Sequence, residues 1–300
     1  MKGFYSAKRQ LKEDIAGYLF ISPWLIGFFA FSVIPIVFSL YFSFTDYDIL
    51  GSPVFSGLTN FKKMVKDALF WKSLRVTFQY AFVSVPARLI FAFLVAALFK
   101  RASRMIRVYQ AAFYLPSLVG GSIAVAVMWR RMFLSDGVVN TFLQSIGINS
   151  TISWIARTNT ALWILIILAI WQFGSSMLIF LAGLRQIPKT YYEAASIDGA
   201  GSVNQFFNIT LPQMTPIIFF NLIMQLINGF TVFTQAFIIS GGKGDPQYST
   251  LAYALYLYLR AFTYYDMGYS SAMAWVLVLI IAVFTGIIFK TSDRWVYYES

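Results

Sequence analysis

The chain has 300 residues, 59% hydrophobic and only 12% charged, about half the charged share of roughly 25% found in soluble proteins. A surface built from that mixture would expose large apolar patches to water, which excludes a soluble domain and points to an integral membrane protein. Histidine and cysteine are both absent, which removes disulfides, thiol nucleophiles, imidazole acid–base chemistry and His/Cys metal sites, so no metal site is expected. The net charge of +11 is scattered through loops between apolar runs; that distribution suits anionic lipid headgroups and membrane orientation, not nucleic acid.

Lipid offers backbone groups no hydrogen-bond partners, so crossing segments are helices, and a core about 30 Å thick needs roughly 20 residues. The pattern predicts an all-α polytopic protein with six spans, a membrane domain over 15–290 flanked by an N-terminal segment, 1–14, and a C-terminal tail, 291–300. The first span, about 16–44, sits in an uncharged run from Ile15 to Thr45 that exceeds one crossing; Pro23 and Pro35 divide it into an interfacial start and a kinked span. With no small-residue cleavage site, this run is retained and not removed as a signal peptide. The second span, about 76–99, carries Pro86 and a single charge, Arg88. The third covers about 108–129, the fourth about 160–182, and the sixth about 267–289. Between the last two, Asn204, Gln205, Asn208, Pro212 and Pro216 interrupt a long uncharged stretch, leaving a fifth span at about 215–239.

Six spans put both termini on one side. The short turn from Lys100 to Arg107, with Arg101 and Arg104, is the densest basic loop, which places it and both termini in the cytoplasm of a multi-pass cell-membrane protein. The connection between spans four and five, 185–212, reads as two short helices at that surface. Thr190 with Glu193 and Ser202 with Gln205 fit capping boxes, Gly199 is a left-handed stop, and Pro212 ends the second helix before the fifth span. Ala194, Ala195 and Ala200 leave a bare surface framed by Glu193 and Asp198, a docking element that another protein's backbone can approach closely.

The spaced string Gly183-Leu184, Ile187-Pro188, Tyr192-Glu193-Ala194-Ala195, Asp198-Gly199-Ala200 and Ile209-Thr210-Leu211-Pro212 resembles the cytoplasmic signature of ATP-binding-cassette (ABC) importer permeases, in particular the maltose-type carbohydrate permeases. The resemblance extends to Gly57-Leu58-Thr59-Asn60-Phe61 with Phe70-Trp71, to Tyr114-Leu115-Pro116, and to Phe230–Gly242 with Pro246, Ser249 and Thr250. It implies one half of a translocation pathway, completed by a second permease subunit. Two cytoplasmic ATPase subunits carrying ATP and Mg drive transport, and an extracytoplasmic solute-binding protein delivers a carbohydrate. It further implies that Tyr192, Glu193, Ala194, Ala195, Asp198, Gly199 and Ala200 seat in an ATPase groove, the acidic residue pairing with a basic one. No Walker phosphate loop is present, since Gly241-Gly242-Lys243-Gly244 lacks both the hydroxyl and the spacing. The chain is therefore expected to be a transport subunit without enzymatic activity, binding no cofactor of its own.

Sugars are recognised by aromatic faces and by hydrogen bonds to their hydroxyls. Span four offers Trp171, Gln172, Ser175 and Ser176; span five offers Asn221, Gln225, Asn228, Thr231 and Gln235 near one helical face. Two readings stand: pathway lining, with Gln172, Ser176, Gln225, Asn228, Thr231 and Gln235 facing the substrate, or hydrogen-bonded glue between helices. The resemblance favours Asn228 and Thr231 as lining. Arg88 departs from the family's usually uncharged second span. It bonds backbone carbonyls, meets an acid on the partner permease, snorkels to the surface, or attracts an acidic sugar such as a uronate. A second departure is Lys243-Gly244-Asp245 ahead of Pro246, where proline usually follows the glycine pair directly. An ion-coupled secondary sugar carrier, the alternative, would need titratable groups in its spans and paired repeats. Arg88 is the one charge there, and no half repeats.

Overall fold

The structure, a computed structural model, describes residues 2–100 and 104–297, with side chains from Asp14 onward except those of Ala16 and Arg104. Arg101, the side chains of Lys2, Lys8, Arg9, Lys12 and Arg104, and the last three residues of the expected tail lie outside the described residues. Among the described residues, five helical runs are long and apolar enough to cross a membrane, and a sixth follows if one sharply bent pair is a single span. The chain divides into two compact units, residues 1–64 with 260–276, and residues 65–259 with 277–300.

In the first unit, α1 (Lys2–Phe28) passes through a π-helical turn (Phe29–Val33) into α2 (Ile34–Ser43). The expected interfacial break at Pro23 is absent, because the α-helix continues through that residue. Pro35 stands in the first turn of α2, and the widened π turn before it accommodates the missing N–H without interrupting the run. Along the membrane-length segment Gly17–Ser43, no residue of the most apolar window is buried, so this surface is left for lipid or a partner. After it come a two-stranded antiparallel pair, β1 (Thr45–Asp46) and β2 (Val54–Phe55), and helix α3 (Thr59–Lys66). Buried Asn60 ties them to the end of the span, its amide donating to the carbonyls of Ser43 (3.1 Å) and Thr45 (2.8 Å). Asp266 accepts from Lys63 (2.7 Å) and Arg260 (2.5 Å).

The second unit is organised around α4 (Ala68–Leu98), whose N-terminus Asp67 caps by accepting from the Leu69 N–H at 2.9 Å. The third expected span is not one straight helix: α5 (Arg104–Val119) and α6 (Ile123–Met132) meet at a 99° bend. At the bend Gly120 has no room for a side chain, since an added Cβ would stand 2.4 Å from Gln172 Cδ and 2.5 Å from the Pro116 carbonyl oxygen, and Ser122 restarts the helix by accepting from the Val125 N–H. Helix α7 (Val138–Ser145) follows. The fourth run, Thr158–Gln186, is interrupted between α8 (Thr158–Trp171) and α9 (Gly174–Gln186).

The short helices α10 (Lys189–Ile197) and α11 (Ser202–Gln205) then lead through a second π-helical turn (Phe206–Thr210) into α12 (Leu211–Phe230) and, after a break, α13 (Thr234–Ile239). Pro212 therefore does not end a helix. It occupies the first turn of α12 behind a π turn, as Pro35 does in α2, and the run is continuous from Ser202. Helix α14 (Tyr253–Tyr258) and α15 (Met267–Ser292) complete the chain. Helices α8, α9 and α12 pack on α4, burying Leu89, Phe93, Met177, Phe180 and Met214 in one core. Phe78, Phe82, Phe230 and Phe284 form an adjoining aromatic cluster with centroids 5.2–6.3 Å apart.

Helices α5 and α9 approach most closely at Gly174, where an added Cβ would stand 2.4 Å from the Phe113 carbonyl oxygen and 2.7 Å from the Tyr114 Cα. These are backbone atoms that cannot swing aside. Gly174→Ala is expected to destabilise by about 1–3 kcal/mol, the usual cost of overpacking, and to lower the melting temperature in detergent by several degrees. Gly286→Ala, with nothing within 4 Å, should leave it unchanged or slightly higher. Equal melting behaviour of the two variants would contradict the close approach.

Candidate functional site

Two places in the second unit concentrate the residues singled out by sequence. The first is the loop between spans four and five. Helix α10 starts directly after Pro188 with no side-chain cap, so Thr190 lies within its first turn and the expected Thr190–Glu193 capping box does not form. The Ser202–Gln205 box is absent as well, because Gly201 holds the N-cap position of α11. Gln205 instead joins the two helices, donating to Ser196 Oγ (2.9 Å) and the Ala200 carbonyl (3.0 Å). Gly199 is left-handed (φ +79°). Around it the Ala200 N–H bonds the Ala195 carbonyl and the Gly199 N–H bonds that of Ser196, a Schellman stop.

Tyr192 points inward. Its hydroxyl pairs with Thr210 Oγ1 at 2.9 Å, the Lys100 ammonium lies 4.0 Å from its ring centroid, and the ring packs on the α4–α9 core. Glu193, Ala194, Asp198 and Gly199 are exposed, while Ala195 and Ala200 are half-buried. Among the described residues neither Glu193 nor Asp198 forms an ion pair. A shallow hollow of about 470 Å³ opens beside them, floored by Ala194, Ala195, Asp198, Ile209 and Pro212. The seven signature residues thus divide into one root, Tyr192, and an outward small-residue face with unpaired acids at Glu193 and Asp198.

The second place is a cavity of about 490 Å³. Three helix interruptions meet at it: Gly120–Ser122 between α5 and α6, Gln172–Phe173 between α8 and α9, and Thr231–Phe233 between α12 and α13. Irregular backbone at membrane depth is tolerated where it lines a polar cavity and its freed groups find partners. The Gln172 amide donates to the Gly120 carbonyl (3.1 Å), toward which Gln235 also donates (3.4 Å). The Gln172 carbonyl in turn accepts from Ser117 Oγ (2.9 Å) and from Arg88 Nη2. Ser117 itself accepts from the Ser175 N–H in the first turn of α9 (3.0 Å).

The polar stripe of span five splits. Asn228, Thr231 and Gln235 line the cavity, as does Gln172 from span four. Deeper, Gln225 donates to Ser176 Oγ (3.1 Å), both buried, and buried Asn221 donates to the Ile217 carbonyl within its own helix (3.1 Å). Gln225 and Ser176 thus tie α12 to α9, Asn221 is spent within its own helix, and none of the three lines the cavity. Trp171 packs on Trp129 with the rings tilted by 34°, centroids 5.4 Å apart. Sequence reasoning missed Tyr80 and Ser117, which also face the cavity; the Gly120–Gly121 pair beside Ser117, inside an apolar run, was the legible signal of a broken helix there. Arg88 reaches the cavity from α4, and among the described residues no Asp or Glu forms an ion pair with it.

Residues 76–296 match the family described as binding-protein-dependent transport system inner membrane component. The probable ABC transporter permease protein YesP of Bacillus subtilis (strain 168) is 55% identical over 290 residues, covering 96% of this chain and 94% of that one. The probable starch degradation products transport system permease protein AmyD of Thermoanaerobacterium thermosulfurigenes is 34% identical over 285 residues, covering 94% and 96%. The fold is similar to that of a chain in the crystal structure of a bacterial alginate ABC transporter in complex with alginate pentasaccharide-bound periplasmic protein, with TM-score 0.83 at 22% identity, covering 95% of this chain and 96% of that one. The broken helices around one cavity and the small-residue loop thus sit in a chain that belongs to the binding-protein-dependent transport system inner membrane components, the multi-pass permease subunits of ABC transporters.

Proposed function

We propose that this chain forms half of the pathway of an ATP-driven, binding-protein-dependent importer of sugars. The cavity where three helices break carries the reading. It offers amides and hydroxyls from Gln172, Asn228, Thr231 and Gln235, and rings from Tyr80 and Phe233, inside otherwise apolar spans, the mixture that saccharide hydroxyls and ring faces need. The names of the starch-product relative and of the arabinooligosaccharide permease AraP of Bacillus subtilis, 31% identical over 296 residues, support the same substrate class.

In this reading the other half of the pathway is a second permease, and the exposed Glu193–Ala200 face seats in a cytoplasmic ATPase subunit, one of two that hold ATP and Mg. An extracytoplasmic binding protein docks on the opposite side, and both termini are cytoplasmic. Tyr192 roots the face in the helical core, so movement of the ATPase reaches the cavity through α4 and the run Ser202–Ile239. A ligand site that responds to such movement is biased between two states by differential contacts in each.

Glu193→Lys is expected to leave insertion and folding intact while lowering substrate-stimulated ATP hydrolysis of the assembled complex at least about tenfold, consistent with losing a charge-assisted contact. Gly199→Asp should do the same by placing a charged side chain on the exposed face that meets the ATPase. Full coupled hydrolysis in both variants would refute the docking assignment. For the cavity, Asn228→Leu should cut sugar uptake by about two- to tenfold, the worth of one neutral hydrogen bond, with no change in melting temperature. Gln225→Leu, which removes the Ser176 bond, should lower the melting temperature first. The reverse pattern would make Asn228 the packing residue.

A further inference from the structure

Among the described residues, Arg88 is the one ionised side chain that lines the cavity, and no Asp or Glu is among the residues that wall it. The bond to the Gln172 carbonyl does not account for a cation: Ser117 Oγ already donates to that oxygen, and a second neutral donor would complete the break at far smaller desolvation cost than a guanidinium. Arg88 Nε is buried without a partner. A carbonyl dipole offsets only part of a full charge, so the site is electrostatically incomplete until an anion enters it.

An independent feature points the same way. The C-terminal end of α4 adjoins the loop between spans four and five, where Arg185 reaches the Phe99 carbonyl and Lys100 covers Tyr192. At the opposite end of the same helix a second cavity, about 500 Å³, is walled by Lys72 and Arg75 with Gln79, Asn159 and Gln247, again without an acidic residue. One helix thus presents cations in a second cavity near its N-terminal end and another in the central cavity, a distribution that raises the local concentration of anions.

We propose that the transported sugar is acidic, a uronate-containing oligosaccharide, and that Arg88 pairs with its carboxylate in the central cavity. The proposal rests on the sugar-import reading and names the class of sugar. A guanidinium fork matches a carboxylate in two parallel hydrogen bonds, which a lysine cannot reproduce. Arg88 is then a specificity-determining residue: the neutral amides and hydroxyls around it hold saccharide rings, and the charge selects those that carry an acid.

The test uses the complete complex with its binding protein in proteoliposomes. The probes are galacturonate, glucuronate and mannuronate trimers, each beside its carboxyl-reduced counterpart, which differs only in lacking the acid, and a set of sugar phosphates. Wild type should take up at least one trimer in preference to its reduced form. Arg88→Gln should lower that acid-to-neutral ratio by about tenfold or more, with Arg88→Lys between the two. Because Arg88→Gln also loosens the Gln172 break, Lys72→Gln/Arg75→Gln provides a second arm, expected to lower the ratio a few-fold at low salt and to flatten its salt dependence. An acid-to-neutral ratio near one in wild type, or the same ratio in wild type and Arg88→Gln, would overturn the proposal. Preference for sugar phosphates over every uronate would overturn the carboxylate assignment. Failure of wild type to import any saccharide, acidic or neutral, would instead sink the sugar-import reading on which the proposal depends.

Discussion

A backbone carbonyl released from a helix inside a membrane must be given another partner, and in this protein the partners come from the neighbouring breaks. Gln172 supplies both sides of the exchange. Its amide serves Gly120 at the bend of α5 and α6, and its own carbonyl is served by Ser117 and Arg88. Gln235, beside the third interruption, turns toward the same Gly120 carbonyl. The three breaks therefore stabilise one another, and the space between them is polar by construction. A straight bundle of the same helices would bury these amides with nothing to bond and would have no cavity for a hydroxylated substrate.

The same requirement explains why the stripe of span five has two characters. Where the helix is intact, at Asn221 and Gln225, the polar side chains are consumed by a backbone carbonyl and by Ser176. Where the helix frays, from Asn228 through Gln235, side chains of the same type face open volume. A residue's chemistry is shared along the stripe, and its role is set by the backbone beneath it.

The outward loop and the inward cavity are joined by continuous structure. The run from Ser202 to Ile239 starts in the loop and ends at the cavity, passing through a π turn that absorbs Pro212 without a hinge. Tyr192 fixes the preceding helix to Thr210 on that run and to the α4–α9 core. Small residues and unpaired acids are left on the exposed face, the surface a protein partner can approach closely, while the aromatic ring anchors the other. The loop is short, its two helices stitched by Gln205, so it has little freedom to move apart from the spans it connects.

Apolar run length made the spans legible in the sequence, because membrane thickness imposes a minimum number of residues whatever the neighbours are. The left-handed stop at Gly199 was legible too, since the requirement is local to one residue. Local rules misread the caps: Thr190 and Ser202 have the right spacing for capping boxes, yet Pro188 and Gly201 hold the N-cap positions, and Gln205 bonds Ser196 and Ala200 across the turn instead. They misread Pro212 as well, since one extra residue in the preceding turn removes the clash that would have ended the helix. Composition, span count and the loop signature were thus determined by the sequence alone, because each depends on residue type or on separations of a few residues. Where helices break, which amides are spent on carbonyls, and that Arg88 ends in a cavity without an acid were decided only by the tertiary structure, since hydrogen-bond partners 52 to 115 residues apart leave no periodic trace in the chain.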